Sequence, residues 1–482
     1  MKQINLISLA ILFVFIPIMA MGQGMGCIYD PEKDGKAPMR ANLMTRSYTI
    51  LPESYSLKKY CPTPMSQAQH GTCTAWATTY AARTICEAIN NDWTDAESID
   101  DEAFAPIFIY KQLSKSPDCQ DGTSIFSALE LLNKVGAPKL YSFDVLCADS
   151  IPEYLFAEAA NYKTNPPKQL FNDFDPNEEF KQVNKVLKVK KALCENRPVI
   201  FSLKCFKSFN NWEVRDVWNG LQDTCLDYHA MCVVGFDDNK YGGAFEIMNS
   251  WGANWGNNGF IWVKYSDFEE NAPYAYEMFV EKAPVPENEE DVAKRYCQGA
   301  SMAIVCRDGG DSARVRLFDD GVLPYYRVGG NFLSGKRFHI EVANQDPAWV
   351  YVLASDKMNN VNILFPYADN ISPYLDYTLN DIAIPDETHE FELDTVAGTD
   401  YFCVLFAFEE LDIHDIANRI RDGSGTFYDK LKVALGDSLA PRDDSIYDEN
   451  LIVLNTMTDS PIVPIIVEIP HEGVEVEYQE KP

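Results

Sequence analysis

Residues 283–291 (APVPENEED) divide the chain into two parts whose apolar residues follow different patterns. The stretch holds two prolines and four acidic residues and has little side-chain surface to bury, which is typical of a linker. Helix-like and strand-like segments mix before it, and short strand-like runs predominate after it. With 482 residues, the chain is also too long for one ordinary core. We therefore predict an α+β domain, two-lobed around a cleft, followed by a β-rich, sandwich-like domain.

These patterns divide the chain into a signal peptide, a lead-in segment, the α+β domain, a linker, the β-rich domain and an acidic tail. The boundaries are placed at residues 1–22, 23–50, 51–282, 283–296, 297–470 and 471–482. We find no internal repeat.

The first residues have the pattern of an export signal. Lys2 precedes an apolar run over residues 6–20 that only Ser8 interrupts, and residues 20–22 (AMG) offer small side chains where a signal peptidase cuts. The run is shorter than the roughly 20 residues that a membrane-spanning helix needs. A lipid anchor on Cys27 is the alternative, but this cysteine lies far from the apolar run. We expect a secreted, periplasmic or cell-envelope protein.

Composition narrows the classes of partner. A net charge of −31 disfavours nucleic acid and anionic membrane surfaces, since both would repel the chain. Thirteen cysteines in an exported chain favour disulfides, and their odd number leaves at least one thiol unpaired unless another chain supplies a partner.

The spacing of apolar residues predicts the main elements. Residues 73–89 carry Ala77, Ala81, Ile85 and Ala88 at helical spacing. Further helices are predicted over 123–135, 178–193 and 412–421, and strands over 199–201, 230–236, 245–248, 260–264, 338–342, 349–353 and 401–408.

Residues 67–73 (QAQHGTC) place a cysteine at the start of the first predicted helix. A thiol becomes a good nucleophile as the thiolate, which a helix N-terminus and a nearby imidazole both favour. Gly71 and Thr72 leave room for a substrate carbonyl. The side chain of Gln67 and the backbone N–H of Cys73 could then donate to an oxyanion. Taken alone, a buried cysteine at a helix start is more often a packing residue or half of a disulfide.

A histidine and an asparagine complete this pattern. His229 heads an apolar strand, and Asn249 follows a later strand in the sequence Asn-Ser-Trp-Gly. An asparagine amide can hold an imidazole in one tautomer and orientation, and the indole of Trp251 could shield that hydrogen bond from water. Each of these signals alone also has a structural explanation. A lone histidine at a strand edge, such as His229, is usually structural, and Asn-Ser-Trp-Gly could be a turn filled by an aromatic ring.

Taken in this order, the segments resemble the papain family of cysteine peptidases over residues 51–282. Asn-Ser-Trp-Gly followed by residues 255–260 (WGNNGF) is among that family's most specific motifs. The resemblance implies four catalytic residues, namely the nucleophile, the base, the asparagine that orients the base, and the oxyanion donor. These are Cys73, His229, Asn249 and Gln67, respectively. It also implies a thiolate pKa of roughly 3–4, protein or peptide substrates, and neither a metal nor an organic cofactor.

Residues 119–122 (CQDG) resemble the family's glycine-containing loop that binds the substrate backbone, although an aspartate replaces one glycine. We assign Gly122, Tyr228 and Trp251 to substrate binding. His70 stands where the family has a cysteine, so one familiar disulfide is missing, and we interpret His70 as a loop residue.

The sequence lacks the long inhibitory propeptide of eukaryotic relatives. Fewer than about thirty residues separate the predicted signal from Leu51, too few for a helical pro-domain. Latency would have to come from the lead-in segment, from the C-terminal domain or from another protein.

The C-terminal part shows no catalytic cluster. Residues 361–366, 383–385 and 398–402 resemble the bacterial domain of unknown function 4384, which implies a β-sandwich-like module of a secreted or envelope protein. Binding of a substrate, a partner or the cell surface and simple stabilisation stay open as its role.

We expect a papain-like cysteine endopeptidase that acts through an acyl-enzyme on Cys73. One alternative is a catalytically silent protein that binds peptides in the same cleft. The other is a different Cys–His hydrolase, such as a cell-wall amidase or a transglutaminase-type enzyme, which would lack the setting of Gln67 and Asn249.

Overall fold

The structure is a computed structural model. It describes residues 24–44, 51–175, 184–211, 213, 215–281, 296–306, 313–318, 323–329, 332–356, 360–376, 380–387, 389–440, 446–448 and 451–472. The predicted signal peptide and nearly all of the predicted linker and acidic tail lie outside these residues. Among the residues described, no helix combines the length and apolar character that crossing a membrane requires.

The helices of the first core surround one long central helix. It begins at Cys73 and consists of an α-helical turn, a π-helical segment over Trp76–Arg83 and a second α-helical segment. The helices are α1 (Cys73–Ala75), α2 (Thr84–Asn90), α3 (Ala96–Asp101), α4 (Pro106–Leu113), α5 (Ile125–Lys134), α6 (Leu155–Ala159), α7 (Lys185–Cys194) and α8 (Tyr265–Asn271). The helix predicted over residues 73–89 is therefore confirmed. Its predicted apolar stripe is buried, and so are Trp76 and Tyr80 beside it, because other elements cover this helix on all sides.

An antiparallel sheet forms the other half of the first core. The strands of this half are β1 (Cys27–Ile28), β2 (Ser54–Ser56), β3 (Thr123–Ser124), β4 (Lys168–Asn172), β5 (Val199–Phe206), β6 (Cys225–Asp237), β7 (Ala244–Met248), β8 (Phe260–Lys264) and β9 (Tyr274–Glu277). Seven of them form one sheet in the order β4-β9-β5-β6-β7-β8, with β2 on β6. The four predicted strands of this part are confirmed. Strands β1 and β3 form a separate parallel pair.

Two predicted helices start later than expected because of local contacts. The helix predicted from residue 123 begins at Ile125, since Thr123 and Ser124 form β3 and the Ser124 side chain caps the helix. The helix predicted from residue 178 is described from Lys185, where Asn184 caps the Leu187 N–H; residues 178–183 lie outside the described part.

The C-terminal part is built from two sheets and two helices. Its strands are β10 (Tyr296–Cys306), β11 (Val315–Phe318), β12 (Tyr325–Val328), β13 (Phe332–Leu333), β14 (Arg337–Asn344), β15 (Ala348–Ser355), β16 (Val361–Phe365), β17 (Tyr374–Leu375), β18 (Asn380–Ile384), β19 (Phe391–Glu392), β20 (Gly398–Ala407), β21 (Ile446–Asp448), β22 (Leu451–Thr458) and β23 (Ile462–Glu472). One sheet has the order β18-β14-β10-β22-β21 with β19 on β14. The other has the order β11-β12-β23-β20-β15-β16 with β13 on β23 and β17 on β15.

Alternate residues of the larger sheet pack into two apolar cores, one on each face of the sheet. In β20, Phe402 and Val404 face the smaller sheet, whereas Cys403 and Leu405 face helices α9 (Ile413–Asp422) and α10 (Phe427–Leu435). The helix predicted over residues 412–421 is confirmed as α9. Helix α10, which was not predicted, completes the outer layer.

Residues 24–44, which we call the strap, join the first core to the C-terminal part. Cys27 and Ala37 pack into the first core, whereas Met39, Ala41 and Leu43 pack between the two C-terminal sheets. The sequence pattern predicts only a weakly patterned lead-in here, but ten of these 21 residues are buried.

Candidate active site

Cys73 is the first residue of the long buried helix. Thr72 precedes it as the N-cap residue, so the sulfur lies at the positive end of the helix dipole. The backbone N–H groups of Ala230 on β6, Gly26 on the strap and Thr74 lie close enough to the sulfur to favour its thiolate form. The side chain is fully buried. Since Ala230 directly follows His229, the helix start and strand β6 meet at the sulfur.

The His229–Asn249 pair fixes the orientation of the imidazole. His229 Nε2 donates to Asn249 Oδ1 over 2.8 Å, and the same oxygen accepts the Ser250 N–H over 2.7 Å. A backbone donor at Oδ1 identifies that atom as the amide oxygen, so in the neutral ring the proton is on Nε2. His229 Nδ1 is left as the proton acceptor and has no hydrogen-bond partner.

Trp251 lies under the imidazole. The indole and the His229 ring stack with centroids 4.5 Å apart and an interplanar angle of 23°. Trp255 meets Trp251 edge to face, and Phe209 packs against both indoles. Trp251 is therefore placed to keep water from the His229–Asn249 hydrogen bond, whereas its buried indole offers little surface to a substrate.

Burial keeps the thiol and the imidazole neutral in this arrangement. It raises the pKa of Cys73 to about 11, although the backbone N–H groups of Ala230 and Gly26 and the polar groups of Thr74 act in the opposite direction. It lowers the pKa of His229 to about 4, against the effect of the Asn249 hydrogen bond. The low thiolate pKa expected from the sequence is therefore wrong for this arrangement, because the strap buries the sulfur.

Gln67 reaches the cleft from the loop before the helix. Its Nε2 donates to the carbonyl oxygens of Gly24, over 3.0 Å, and His70, over 2.8 Å. Its Oε1 accepts a short hydrogen bond from the Ser250 hydroxyl. The amide that would serve as an oxyanion donor therefore already holds a carbonyl of the strap.

The predicted substrate-binding residues occupy different settings. Gly122 lies against the strap, where a Cβ would stand 2.7 Å from the Gly26 carbonyl oxygen. Tyr228 is half-buried on β6, next to His229. The structure thus brings Gln67, Cys73, His229 and Asn249 together around the cleft, with Gly122 at its edge.

The loop residue His70 contacts the neighbouring loop at Asp118. Its Nδ1 lies 3.0 Å from the Asp118 carbonyl oxygen, in agreement with a loop role. Cys119 forms a disulfide with Cys147. Cys27, Cys73 and Cys225 are free thiols.

Sequence reasoning missed two contributors to the site. Ser250 holds Gln67, and the strap fills the cleft through Gly24 and Gly26. The alternating glycines at positions 22, 24 and 26 are the signal that could have indicated close backbone approach. Within the described part of the chain, no group of three or more His, Cys, Asp or Glu side chains could hold a metal.

The model of the papain family of cysteine proteases matches residues 110–277, which include His229 and Asn249. These residues belong to a papain-family cysteine peptidase domain. The fold class predicted from the sequence, with a papain-like domain and a β-rich remainder, is confirmed. Cys73 and Gln67 precede the matched residues and join this peptidase domain through the contacts described above.

Individual relatives are distant. A curated relative, the uncharacterized peptidase C1-like protein L477 of Acanthamoeba polyphaga mimivirus, is 24% identical over 254 residues, which cover 47% of this chain and 71% of the relative. Similar solved structures include xylellain, a cysteine protease from Xylella fastidiosa, at 19% identity and a TM-score of 0.42 over 54% of this chain and 97% of that one. Another is the bromelain protease from Ananas comosus with the E64 inhibitor, at 17% identity and a TM-score of 0.38 over 48% and 100% of the two chains.

The raised pKa of Cys73 predicts that its thiol stays protonated near neutral pH. Because burial holds the pKa at about 11, we expect no thiolate from Cys73 between about pH 6 and pH 9. The ultraviolet absorbance of the thiolate, taken as the difference between the wild type and Cys73→Ala, measures this fraction without a reagent that has to reach the sulfur. A thiolate absorbance of Cys73 that is already complete at about pH 6 would contradict the prediction.

Proposed function

We propose that this chain is a cysteine endopeptidase that hydrolyses peptide bonds of proteins or peptides through an acyl-enzyme on Cys73. The observation that carries the proposal is the His229–Asn249 hydrogen bond, which leaves Nδ1 of a buried imidazole as a proton acceptor beside the start of the Cys73 helix. The match of residues 110–277 to the papain family supports the same reading.

The proposed reaction has two steps, acylation of Cys73 and hydrolysis of the acyl-enzyme. Cys73 gives its proton to His229 Nδ1, and the sulfur attacks the carbonyl carbon of the substrate. Gln67 Nε2 and the Cys73 N–H donate to the oxyanion. As the C–N bond breaks, His229 returns the proton to the leaving amine, and an acyl-enzyme remains. His229 then takes a proton from water, the hydroxide attacks the thioester, and the thiol is regenerated as the acid product leaves.

We also propose that the peptidase acts outside the cytoplasm. The predicted signal peptide over residues 1–22 supports export, and so does the Cys119–Cys147 disulfide, since such bonds persist in oxidising compartments. The resemblance of the C-terminal part to a bacterial envelope module stays a prediction.

A catalytically silent peptide-binding protein is the second candidate. Two observations favour it: Cys73 and His229 Nδ1 form no hydrogen bond with each other, and the strap already occupies the cleft as an extended peptide would. Only a measurement of turnover separates this candidate from the peptidase.

The test compares the full chain with Cys73→Ala under reducing conditions, using casein, quenched peptides and peptidoglycan fragments in long incubations. We expect cleavage of casein and peptides by the wild type and a rate at least about 10³ lower for Cys73→Ala, since the nucleophile is lost. The matched control Cys225→Ala removes an exposed free thiol and should keep full activity.

An epoxysuccinyl reagent provides the second readout and should label the wild type once, at Cys73. Equal cleavage by wild type and Cys73→Ala would remove Cys73 from the role. Labelling and peptide binding without any turnover would identify the silent protein, and cleavage of peptidoglycan alone would identify an amidase.

A further inference from the structure

A pocket of about 640 Å³ lies at one edge of the larger C-terminal sheet. Strand β16 is the last strand at this edge, and after Phe365 the chain leaves it for residues 366–373, which we call the pocket loop. The pocket lies between this loop and residues 410–414, which complete the link from β20 to α9 and begin that helix. Its volume is within the range of roughly 300–1,000 Å³ that is usual for ligand sites.

Apolar side chains form the walls of the pocket. Tyr351 and Ile371 are 1% and 3% exposed, respectively, and form its buried part. Ile363, Pro366 and Pro373 are half-buried and leave apolar surface open to a ligand. The hydrocarbon part of a bound molecule could therefore replace water against these walls.

The exposed part of the pocket is acidic. Asp369 belongs to the pocket loop, Glu410 and Asp412 belong to the segment before α9, and all three side chains are exposed. Within the described part of the chain, Asp369 and Glu410 have no hydrogen-bond or ion-pair partner. The described residues that line the pocket include neither lysine nor arginine, and His414 is the only basic side chain among them. The pocket therefore offers carboxylates that a cation could pair with.

The start of helix α9 does not reverse this charge. A helix N-terminus carries a partial positive charge, but the Asp412 carboxylate caps this one and accepts from the Asp415 N–H over 2.9 Å. Asp415 adds a further carboxylate in the first turn of the helix. The net charge of −31 on the whole chain acts in the same direction and attracts cationic ligands.

Tyr351 offers a buried hydroxyl to the pocket. This hydroxyl accepts from the Leu411 N–H over 2.9 Å, and no acceptor for its own proton is found among the described residues. Burial raises the pKa of Tyr351 to about 12, against the effect of the Leu411 N–H and together with that of Glu410. The hydroxyl therefore keeps its proton at neutral pH and could donate it to a carbonyl oxygen of a bound peptide.

These features together favour a cation that is carried on an apolar stem. A lysine or arginine side chain can place its methylene groups against the apolar walls and its charged head among the carboxylates. The rings of Tyr351 and Tyr367, which line the pocket, would attract such a head through their π faces. A neutral ligand would leave the carboxylates without a charged partner, and an anionic one would be repelled.

The pocket loop also contacts the peptidase domain. The Asn370 amide donates to the Asp175 carboxylate over 3.3 Å, and the Lys168 ammonium group donates to the Tyr374 carbonyl oxygen over 2.6 Å. Lys168 is the first residue of β4, and Asp175 follows that strand. A protein held in the pocket would therefore lie beside the peptidase domain.

We propose that this pocket binds a basic segment of another protein, one that carries lysine or arginine side chains. The charged heads pair with Asp369, Glu410 and Asp412, and a main-chain carbonyl oxygen of the segment accepts from the Tyr351 hydroxyl. The proposal concerns the C-terminal part and does not depend on the peptidase activity. It gives this part a partner-binding role, which the sequence left open.

The first test measures the binding of a labelled peptide by fluorescence anisotropy. The probe is an acetylated and amidated peptide of alternating arginine and alanine, and the protein is the full chain with Cys73→Ala, so that the peptide is not cut. We expect Asp369→Asn together with Glu410→Gln to raise the Kd about tenfold, since each exposed ion pair contributes a factor of up to about five. Both side chains are exposed, and both replacements keep their shape, so folding should be unaffected.

The matched control is Asp422→Asn together with Asp437→Asn. These changes remove two exposed carboxylates of the same domain that do not line the pocket. The Kd of this control should stay within about twofold of the value without the changes. Equal Kd values for the pocket variant and the control would show that only the overall charge attracts the peptide, and would overturn the proposal.

Other probes separate the rival ligands. A peptide of alternating glutamine and alanine should bind at least about tenfold more weakly than the arginine peptide. Equal binding of the two peptides would contradict a site for a cation. Chitohexaose that binds the unchanged pocket and is lost in the pocket variant would identify a glycan site instead, and would also overturn the proposal.

Photo-crosslinking locates the bound peptide without any change to the acidic residues. A benzophenone at one end of the arginine peptide should attach to residues 363–373 or 410–414, which mass spectrometry identifies after digestion. Crosslinks confined to the peptidase domain would overturn the pocket as the binding site.

Discussion

Replacing His229 by alanine in the full chain should lower kcat by roughly 10³–10⁴, with little change in KM. The imidazole is the acceptor for the thiol proton and the donor to the leaving amine, and no other described side chain near the sulfur is placed to do both. Steady-state hydrolysis of a quenched peptide measures the effect.

The matched control for this variant is His389→Ala. His389 is a largely exposed histidine whose ring lies beside Asp386 in the C-terminal part. Its removal should leave kcat and KM unchanged. An unchanged kcat for His229→Ala would show that another group takes the thiol proton and would end the assignment of the base.

Replacing Glu277 by glutamine should lower the free energy of unfolding by about 3–5 kcal/mol. The side chain of Glu277 on β9 is fully buried, and each oxygen accepts a guanidinium N–H over 2.8 Å, one from Arg40 and one from Arg197. Loss of the anion leaves two buried cations without their shared partner. Arg197 also contacts Asp376 of the C-terminal part over 3.0 Å, so the loss spreads across the junction.

Urea denaturation followed by fluorescence measures this effect, with the first unfolding transition as the readout. The matched control is Glu130→Gln, which removes a partly exposed partner of Lys134 on α5 and should change the free energy of unfolding by less than about 0.5 kcal/mol. A loss below about 1 kcal/mol for Glu277→Gln would mean that Glu195 and Asp376 alone satisfy the two arginines.

The motifs of the site could be predicted because each belongs to a short segment with its own pattern. Cys73 starts a helix whose apolar residues recur at helical spacing, and His229 begins the buried part of a strand. Asn249 and Trp251 are two residues apart, so local chain geometry fixes their relation to each other. The order of Cys73, His229 and Asn249 along the chain resembles that of the papain family, and this resemblance predicted that the three side chains would come together.

The strap could not be predicted because its contacts join residues that are far apart in sequence. Its glycines contact the loops at Gly71 and Gly122, and Met39 bonds to Asn370 in the other domain. No periodic pattern marks such a segment, since its conformation is set by the surfaces that enclose it. The predicted low pKa of Cys73 was wrong for the same reason. The strap buries the sulfur, and the residues around Cys73 in the sequence do not reveal this burial.

Compounds aimed at this cleft would compete with a tethered ligand whose local concentration is unaffected by dilution. Every reversible competitor would show an apparent affinity reduced by the same factor, set by the fraction of molecules in which the strap has left. Rank order within a chemical series would survive, whereas absolute potency on the intact chain would be understated. Screening against a variant with a bulky residue at position 24 or 26 would recover the intrinsic values.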